Sequence, residues 1–410
     1  MRIAIDIREA TGQKTGKGWY TFVMVKNLLK NDTKNSYILY TQTHNPKFDK
    51  YENATQRVIS RRGLFWHFAV LRDLKKNPPT LFWAPTSYII PAFLPKTIVS
   101  MITIHDLIAF LFPLTHNKKA VLLERFTVPR AVKKAHTIFT VSNNTEKDVE
   151  REFDVAREKI EVVPCGVSKI FHPLQLNETG AICEKFNVPE QFILGVGTLS
   201  PRKNFDRLIE AYAKISDRHP NVHLVIVGEK GWKWDVLLER AKIAKDRVHF
   251  IGYVEGEEVV ALYNKAKLFA YPSLYEGFGM PPLEAMACGC PVITSDRSSL
   301  PEVVGEAALQ VNPYSVDEIA KAMDQILSDP GLAHDLIEKG FIQAKKFQWE
   351  DSAKKMLKVF NGHVAKGSAY GEKYLCPGTL FVSIFGLNKP FLFLAIQYTT
   401  RKFSEPLRSA

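Results

Sequence analysis

The chain has 410 residues, 46% hydrophobic and 24% charged, which excludes a disordered or collagen-like protein and exceeds what one core of about 250–300 residues supports. Its net charge of +12 points to an anionic ligand or surface, or only to a soluble exterior. Five scattered cysteines, with Cys288 and Cys290 as the close pair, supply neither a disulfide framework nor a zinc site.

The first residues, "MRIAIDIREATG", read as a strand; Asp6 and Arg8 break any signal-peptide core, so a cytoplasmic protein is expected. "TGKGWYT" follows, a glycine-rich loop with Gly16 and Gly18. Thr21 stands where a dinucleotide fingerprint needs its third glycine, which disfavours a nicotinamide cofactor. A loop closing over a ligand and a plain turn both remain open. "WYTFVMVKNLLK" is an amphipathic helix; "SYILYTQ", "QRVISRR", "TLFWAP" and "TIVSMIT" are strands. His105 and Asp106 end the last of these, in "TIHDLIAF". A histidine there is either structural or, facing a cleft, able to bind a substrate hydroxyl or move a proton. The helix "KKAVLLERFTVPRAVKKA" and strands "TIFTVS" and "IEVVP" complete the series.

After a polar stretch from Cys165 to Gly180 the alternation starts again, with strands "FILGVGT", "HLVIVG", "VHFIG", "LFAYPS" and "PVITSD" and helices "NFDRLIEAYAKIS" and "VDEIAKAMDQIL". Strands alternating with helices build parallel sheets covered on both faces. The fold class is therefore α/β: two Rossmann-like, doubly wound domains facing each other across a cleft. Residues 1–172 form the first and 173–345 the second, 346–364 a closing helix, and 365–410 an aromatic, basic tail of unassigned role. The tail's apolar run is broken by Pro377, Lys389 and Pro390, so no uninterrupted membrane span is expected.

Chemistry is sought in the loops after strands. In "YPSLYEGFGMPPLEAMACGCPVITSD", the loop Glu276-Gly277-Phe278-Gly279 precedes Pro281 and Pro282, which suit a first helical turn. A helix mouth offers free N–H groups to phosphate, and glycines let a ligand approach the backbone. Glu276 and Glu284 then make sense as acceptors for hydroxyls of a sugar and a ribose. Taken alone, Glu284 reads as a favourable charge in a first turn, worth about 0.3–1 kcal/mol, and it is the whole string that points to a ligand. "LGVGTLSPRKNFDRLIEAY" is a second strand-to-helix loop, adding Arg202 and Lys203. One full charge about 4 Å from a phosphate is worth roughly 4 kcal/mol at an effective dielectric of 20.

These residues resemble the retaining group 1 glycosyltransferases, family GT4, with the GT-B architecture. The likeness rests on "EGFGMPPLE", "GTLSPRKN", the His-Asp pair, "FTVSNNTEKDV", "LVIVGEKGW" and "SSLPEVVG", and spans roughly residues 1–360. It implies an acceptor-binding first domain and a second domain that holds a nucleotide sugar. Carried over, Glu284 holds the ribose, and Glu276 faces the donor sugar together with Gly277 and the N–H groups of Phe278 and Gly279. Arg202 and Lys203 hold the diphosphate, His105 meets the sugar near the reacting carbon, and Gly16 lines the phosphate from the opposite domain. Many relatives place arginine directly after the strand glycine, where this chain has Thr198, so Arg202 is expected to supply that charge. The resemblance implies retention by front-face departure and attack, no cofactor and no metal, and the chain has no Asp-x-Asp pair.

Within the family the motifs look most like bacterial mannosyltransferases of cell-surface polysaccharide assembly. That implies GDP-mannose as donor, with UDP-glucose or UDP-N-acetylglucosamine next, a glycan or lipid-linked acceptor, and no nucleic acid. Lys118, Lys119, Arg125, Arg130, Lys133 and Lys134 fall on one predicted helix. They read either as a dock for an anionic membrane at its inner face or as a solvated helix side. A hydrolase or epimerase of the same architecture, and a non-catalytic nucleotide-sugar-binding protein, are the competing functions.

Overall fold

The computed structural model describes residues 1–12, 16–113, 118–229, 234–244 and 246–371. Thr15 of the glycine-rich loop, the Lys230-Gly231-Trp232 part of "VGEKGW" and residues 372–410 of the tail lie outside the described residues. The chain divides into two units, residues 1–362 and 363–410. In the second, residues 363–371 are helical. The first unit contains both sheets.

The first sheet holds β1 (Arg2–Asp6), β2 (Ser36–Thr41), β3 (Ala54–Val58), β4 (Leu81–Ala84), β5 (Val99–Ile104), β6 (Thr137–Thr140) and β7 (Ile160–Val162), in the order β3-β2-β1-β4-β5-β6-β7. The second holds β8 (Phe192–Val196), β9 (His223–Val227), β10 (Val248–Gly252), β11 (Leu268–Tyr271), β12 (Val292–Ser295) and β13 (Leu309–Val311), in the order β10-β9-β8-β11-β12-β13. All pairings are parallel. Central strands such as β4 and β11 are buried at every position, as a sheet covered on both faces requires.

Helices of the first lobe are α1 (Gly16–Asn31), α2 (Leu64–Lys76), α3 (Ile89–Phe93), α4 (Ile108–Leu111), α5 (Lys118–Lys134) and α6 (Asn143–Phe153). Those of the second are α7 (Leu176–Lys185), α8 (Phe205–Ile215), α9 (Trp234–Ala241), α10 (Gly256–Lys265), α11 (Met280–Ala287), α12 (Leu300–Val304), α13 (Val316–Ser328) and α14 (Pro330–Lys345), and α15 (Trp349–Gly371) follows. In α8 the buried Phe205, Leu208, Ile209, Tyr212 and Ile215 recur at helical spacing and turn one stripe to the sheet. Phe360 of α15 sits between Trp83 and Phe139 of the first lobe, with ring centroids 6.1 and 6.0 Å away.

Two local details differ from expectation. Gly16 and Gly18 lie in the first turn of α1 rather than in an open loop. The strand expected over "QRVISRR" stops at Val58, and Arg61 and Arg62 are exposed on the way into α2.

In each sheet the strand order reverses beside its first strand, between β1 and β4 and between β8 and β11. Ligands of open α/β sheets bind beyond the strand ends at such a switch point. The loops that leave β8 and β11 carry Arg202, Lys203 and Glu276. Those that leave β1 and β5 lead to Gly16 and His105.

Candidate active site

Residues 201–203 form one tight helical turn after β8, and Asn204 reverses the chain in the left-handed region at φ 61°. Asparagine tolerates that region better than branched residues. Its buried side chain donates to the carbonyls of Pro272 (2.9 Å) and Pro313 (2.6 Å), tying the β8 loop to the β11 loop. Arg202 and Lys203 are thereby carried over Glu276.

Arg202 Nη1 and Lys203 Nζ each lie 2.7 Å from Glu276 Oε1. The Tyr271 hydroxyl donates to the same oxygen at 3.0 Å and also bonds Lys203. The side chains of Arg202 and Lys203 are only 16% and 11% exposed, so bulk water does not screen them. Burial alone would raise the Glu276 pKa, but the two cations override it and hold the carboxyl down at about 2. Burial, reinforced by Arg202 and opposed by Glu276, lowers Lys203 to about 8. Two cations thus share one carboxylate and leave a positive charge for a further anion.

The first lobe supplies the facing wall. His105 Nε2 lies 2.8 Å from the Pro85 carbonyl, so that nitrogen carries the proton and Nδ1 is left with a lone pair. Burial and the nearby Lys17 charge push the imidazole down to about 4, making it neutral at pH 7. A ring-edge contact with Tyr20, 4.6 Å between centroids, fixes its plane. Lys17 Nζ pairs with Asp106 at 3.3 Å. Burial opposes both charges, yet their attraction prevails, raising Lys17 and lowering Asp106.

The lobes meet at Gly277. A Cβ there would come within 1.8 Å of the His105 carbonyl oxygen, so only glycine lets the two loops touch. Ser142 and Thr145 donate to the Gly277 carbonyl at 2.6 and 3.1 Å. Ser142 also caps α6. Glu302 accepts from the N–H groups of Asn143 (3.1 Å) and Asn144 (3.0 Å), and the Tyr275 hydroxyl donates to Asp148 at 2.7 Å. On the second lobe, Ser299 donates to the carbonyls of Glu276 and Phe278, and Ser298 accepts from the Glu276 N–H. "FTVSNNTEKDV" and "SSLPEVVG" are therefore the braces of the Glu-Gly-Phe-Gly loop. Gly279, at φ 107°, then turns the chain into α11.

Two adjoining cavities result. The larger, 1140 Å³, is lined by Gly16, His105, Arg202, Lys203, Glu276 and the following Gly277–Gly279. The smaller, 420 Å³, contains Glu284, Tyr253 and Phe171. Gly16, Gly197, Thr198, Met280 and Pro281 line both. Glu284 lies in the smaller cavity; burial raises its pKa to about 7 despite a 3.3 Å hydrogen bond from Tyr263. Glu276 and Glu284 thus sit in separate chambers joined past the mouth of α11. Gly16, His105, Arg202, Lys203, Glu276, Gly277, Phe278, Gly279 and Glu284 all line these cavities, as do Lys118 and Lys119, whereas Arg125, Arg130, Lys133 and Lys134 of the same helix do not. Tyr271, Lys17, Tyr263 and the bracing serines were not singled out.

Residues 183–343 match the family model of glycosyl transferases group 1, and residues 34–169 that of glycosyltransferase family 4. The O-antigen chain mannosyltransferase B of Escherichia coli is 32% identical over 308 residues, covering 74% of this chain and 78% of that protein.

The chain belongs to the group 1 glycosyltransferases.

The serotype-specific mannosyltransferase WbdA of Escherichia coli is 32% identical over 234 residues, 55% of this chain but 29% of that protein. HepE of Anabaena, solved in complex with UDP-glucose, superposes with a TM-score of 0.72 at 17% identity, covering 88% of this chain and 100% of the other. That likeness establishes the GT-B fold. The chain is a glycosyltransferase, and its two sheets are the two Rossmann-like domains of that architecture.

Proposed function

We propose that this glycosyltransferase moves a mannosyl group from GDP-mannose, with retention of configuration, onto a glycan or lipid-linked acceptor in cell-surface polysaccharide synthesis. The mannosyl reading is supported by the names of the relatives. The observation that carries the site assignment is the buried group of two cations around one carboxylate, Arg202 and Lys203 on Glu276. Its surplus positive charge faces the junction of the two cavities, where the diphosphate of a nucleotide sugar would lie.

In this reading the nucleoside fills the smaller cavity and its ribose hydroxyls donate to Glu284. The sugar fills the larger one, against Gly277, Phe278 and Gly279, with His105 Nδ1 accepting from a sugar hydroxyl. Lys203, Arg202 and the N–H groups opening α11 stabilise charge as the diphosphate leaves. Glu276, held ionised by two cations, braces them rather than attacking the anomeric carbon. The acceptor therefore enters on the face the diphosphate leaves. Fixed cations meet the leaving-group charge, so the reaction needs no divalent metal. A lipid-linked acceptor would place the protein at the inner face of a membrane.

A thermal-shift panel of nucleotide sugars tests the donor, because a ligand that binds the folded state raises stability by mass action. GDP-mannose should give the largest shift; a larger shift with UDP-glucose or UDP-N-acetylglucosamine would replace the donor. Mass spectrometry of the products separates transfer from hydrolysis or epimerisation, and an inert complex would indicate a binding protein. Activity should survive EDTA; loss that Mn²⁺ restores would refute the metal-free scheme.

A further inference from the structure

The outer face of α2, α3 and α5 departs from an ordinary soluble surface. The three helices bury their inner side chains in one cluster against the same side of the first sheet, among them Trp66, Val70, Ile90, Val128 and Val132. Their outer sides therefore point the same way. On them Phe65 is 73% exposed, Phe68 64%, Leu122 73% and Phe126 48%, with Leu64, Phe93 and Leu123 also exposed. Single exposed apolar residues are unremarkable, but seven on three adjoining helices form a patch that calls for a partner.

Cations are interleaved with these side chains. Phe65, Phe68, Arg72 and Lys76 follow one another at helical spacing on α2 and are all exposed. On α5 the Arg130 guanidinium stacks over Phe126 at 3.7 Å from the ring centroid. Together α2 and α5 carry nine lysines and arginines and two acidic residues. Both helices begin on the strand-end side of the sheet, and Lys118 and Lys119 at the start of α5 line the larger cavity. The patch is thus continuous with the cleft rim.

We propose that this face seats the enzyme on an anionic lipid leaflet, with Phe65, Phe68, Leu122 and Phe126 entering the boundary between headgroups and acyl chains. Aromatic and aliphatic tips ringed by cations suit such a surface. A second copy of the chain would set two cation-rich faces against each other. The proposal rests on the reading of a lipid-linked acceptor and adds to it the surface that brings cleft and acceptor together.

Flotation of the full chain with vesicles tests it, using phosphatidylcholine alone and phosphatidylcholine mixed with phosphatidylglycerol. The wild type should float with the mixed vesicles, and less so as salt rises. The double variants Phe65→Ser/Phe68→Ser and Leu122→Ser/Phe126→Ser should bind about tenfold less. Their circular dichroism and nucleotide-induced thermal shift should be unchanged. Arg72→Glu/Lys75→Glu reads the same face by charge should a serine pair misfold. Equal flotation of all variants would overturn the proposal by placing attachment elsewhere, as would equal binding to phosphatidylcholine alone. So would a wild-type dimer that the variants dissolve. Flotation needs neither donor nor acceptor, so failure of the mannosyl reading leaves its outcome intact. Conversely, a floating-deficient variant that still glycosylates a water-soluble acceptor separates the docking face from the catalytic site.

Discussion

The two lobes use positive charge in opposite ways. In the second lobe, Arg202 and Lys203 are buried, held on one carboxylate and aimed at a cavity. In the first, Lys133, Arg130 and their neighbours on α5 stand out in solvent. A buried cation, already stripped of water and fixed in place, can stabilise developing charge without reorganising. An exposed one is screened and mobile, and gains effect only by acting with many others. In the proposed reading the same residue types serve chemistry in one lobe and attachment in the other, and substitutions should separate them.

The largest effect is expected at Lys203. Lys203→Ala removes one preorganised cation while Arg202 still neutralises Glu276, so the fold should hold. Turnover should fall about 10²–10³-fold, the range for losing one charge-stabilising donor. A loss under about twofold in steady-state kinetics would break the contrast between the lobes.

Glu284 comes next and concerns pH. Its carboxyl is raised by burial to about 7, and in the proposed reading it must be ionised to accept from both ribose hydroxyls. Donor affinity should rise with pH up to about 7 and level off above, with at most about a tenfold change per pH unit, since one proton is released on binding. In the ligand-free protein the sign is opposite. A folded pKa raised above the ordinary 4.5 means that this group's stabilising contribution is present below that value and lost as pH rises through about 7. Glu284→Gln should flatten both profiles; calorimetric titration and melting curves across that window check them.

Much of this was legible in the chain because doubly wound folds concentrate function in the loops after strands. The Glu276–Gly279 loop, the Arg202-Lys203 turn and the His105 strand end could each be read locally, and the fold follows from alternation. What escaped reading is non-local or atypical. Tyr271 sits in the short apolar strand "LFAY", where it looks like plain core, and its hydroxyl matters only because β8 brings Lys203 beside it. Ser142, Thr145 and Glu302 belong to motifs quoted for the family, but their task, pinning one lobe to the other, needs residues more than a hundred positions apart. Helix α2 went unread because "LFWHFAVLRDLKK" shows apolar residues on both its faces, which blurs the helical stripe; the same blurring is what exposes Phe65 and Phe68.

Tyr271→Phe should give a smaller effect. It deletes one hydroxyl between Lys203 and Glu276 and leaves both ion pairs in place. The net worth of such a bond is about 1 kcal/mol, or roughly fivefold in turnover. A role limited to packing would leave the pH dependence of turnover untouched. Loss of the bond to Lys203 should instead move the limb that reports this amine, which lies near 8 in the intact cluster.

The smallest effect is the one expected of the first lobe's cations. Lys133→Ala on α5 removes an exposed charge remote from the buried cluster, so turnover with a soluble acceptor should stay within about twofold. The same substitution should weaken attachment to anionic vesicles by up to about fivefold, since each such charge contributes about 1 kcal/mol at a membrane surface. Parallel kinetics and flotation read the two together. A large fall in turnover with soluble acceptor would mean that α5 reaches into the chemistry, and that the division of labour between buried and exposed cations is wrong.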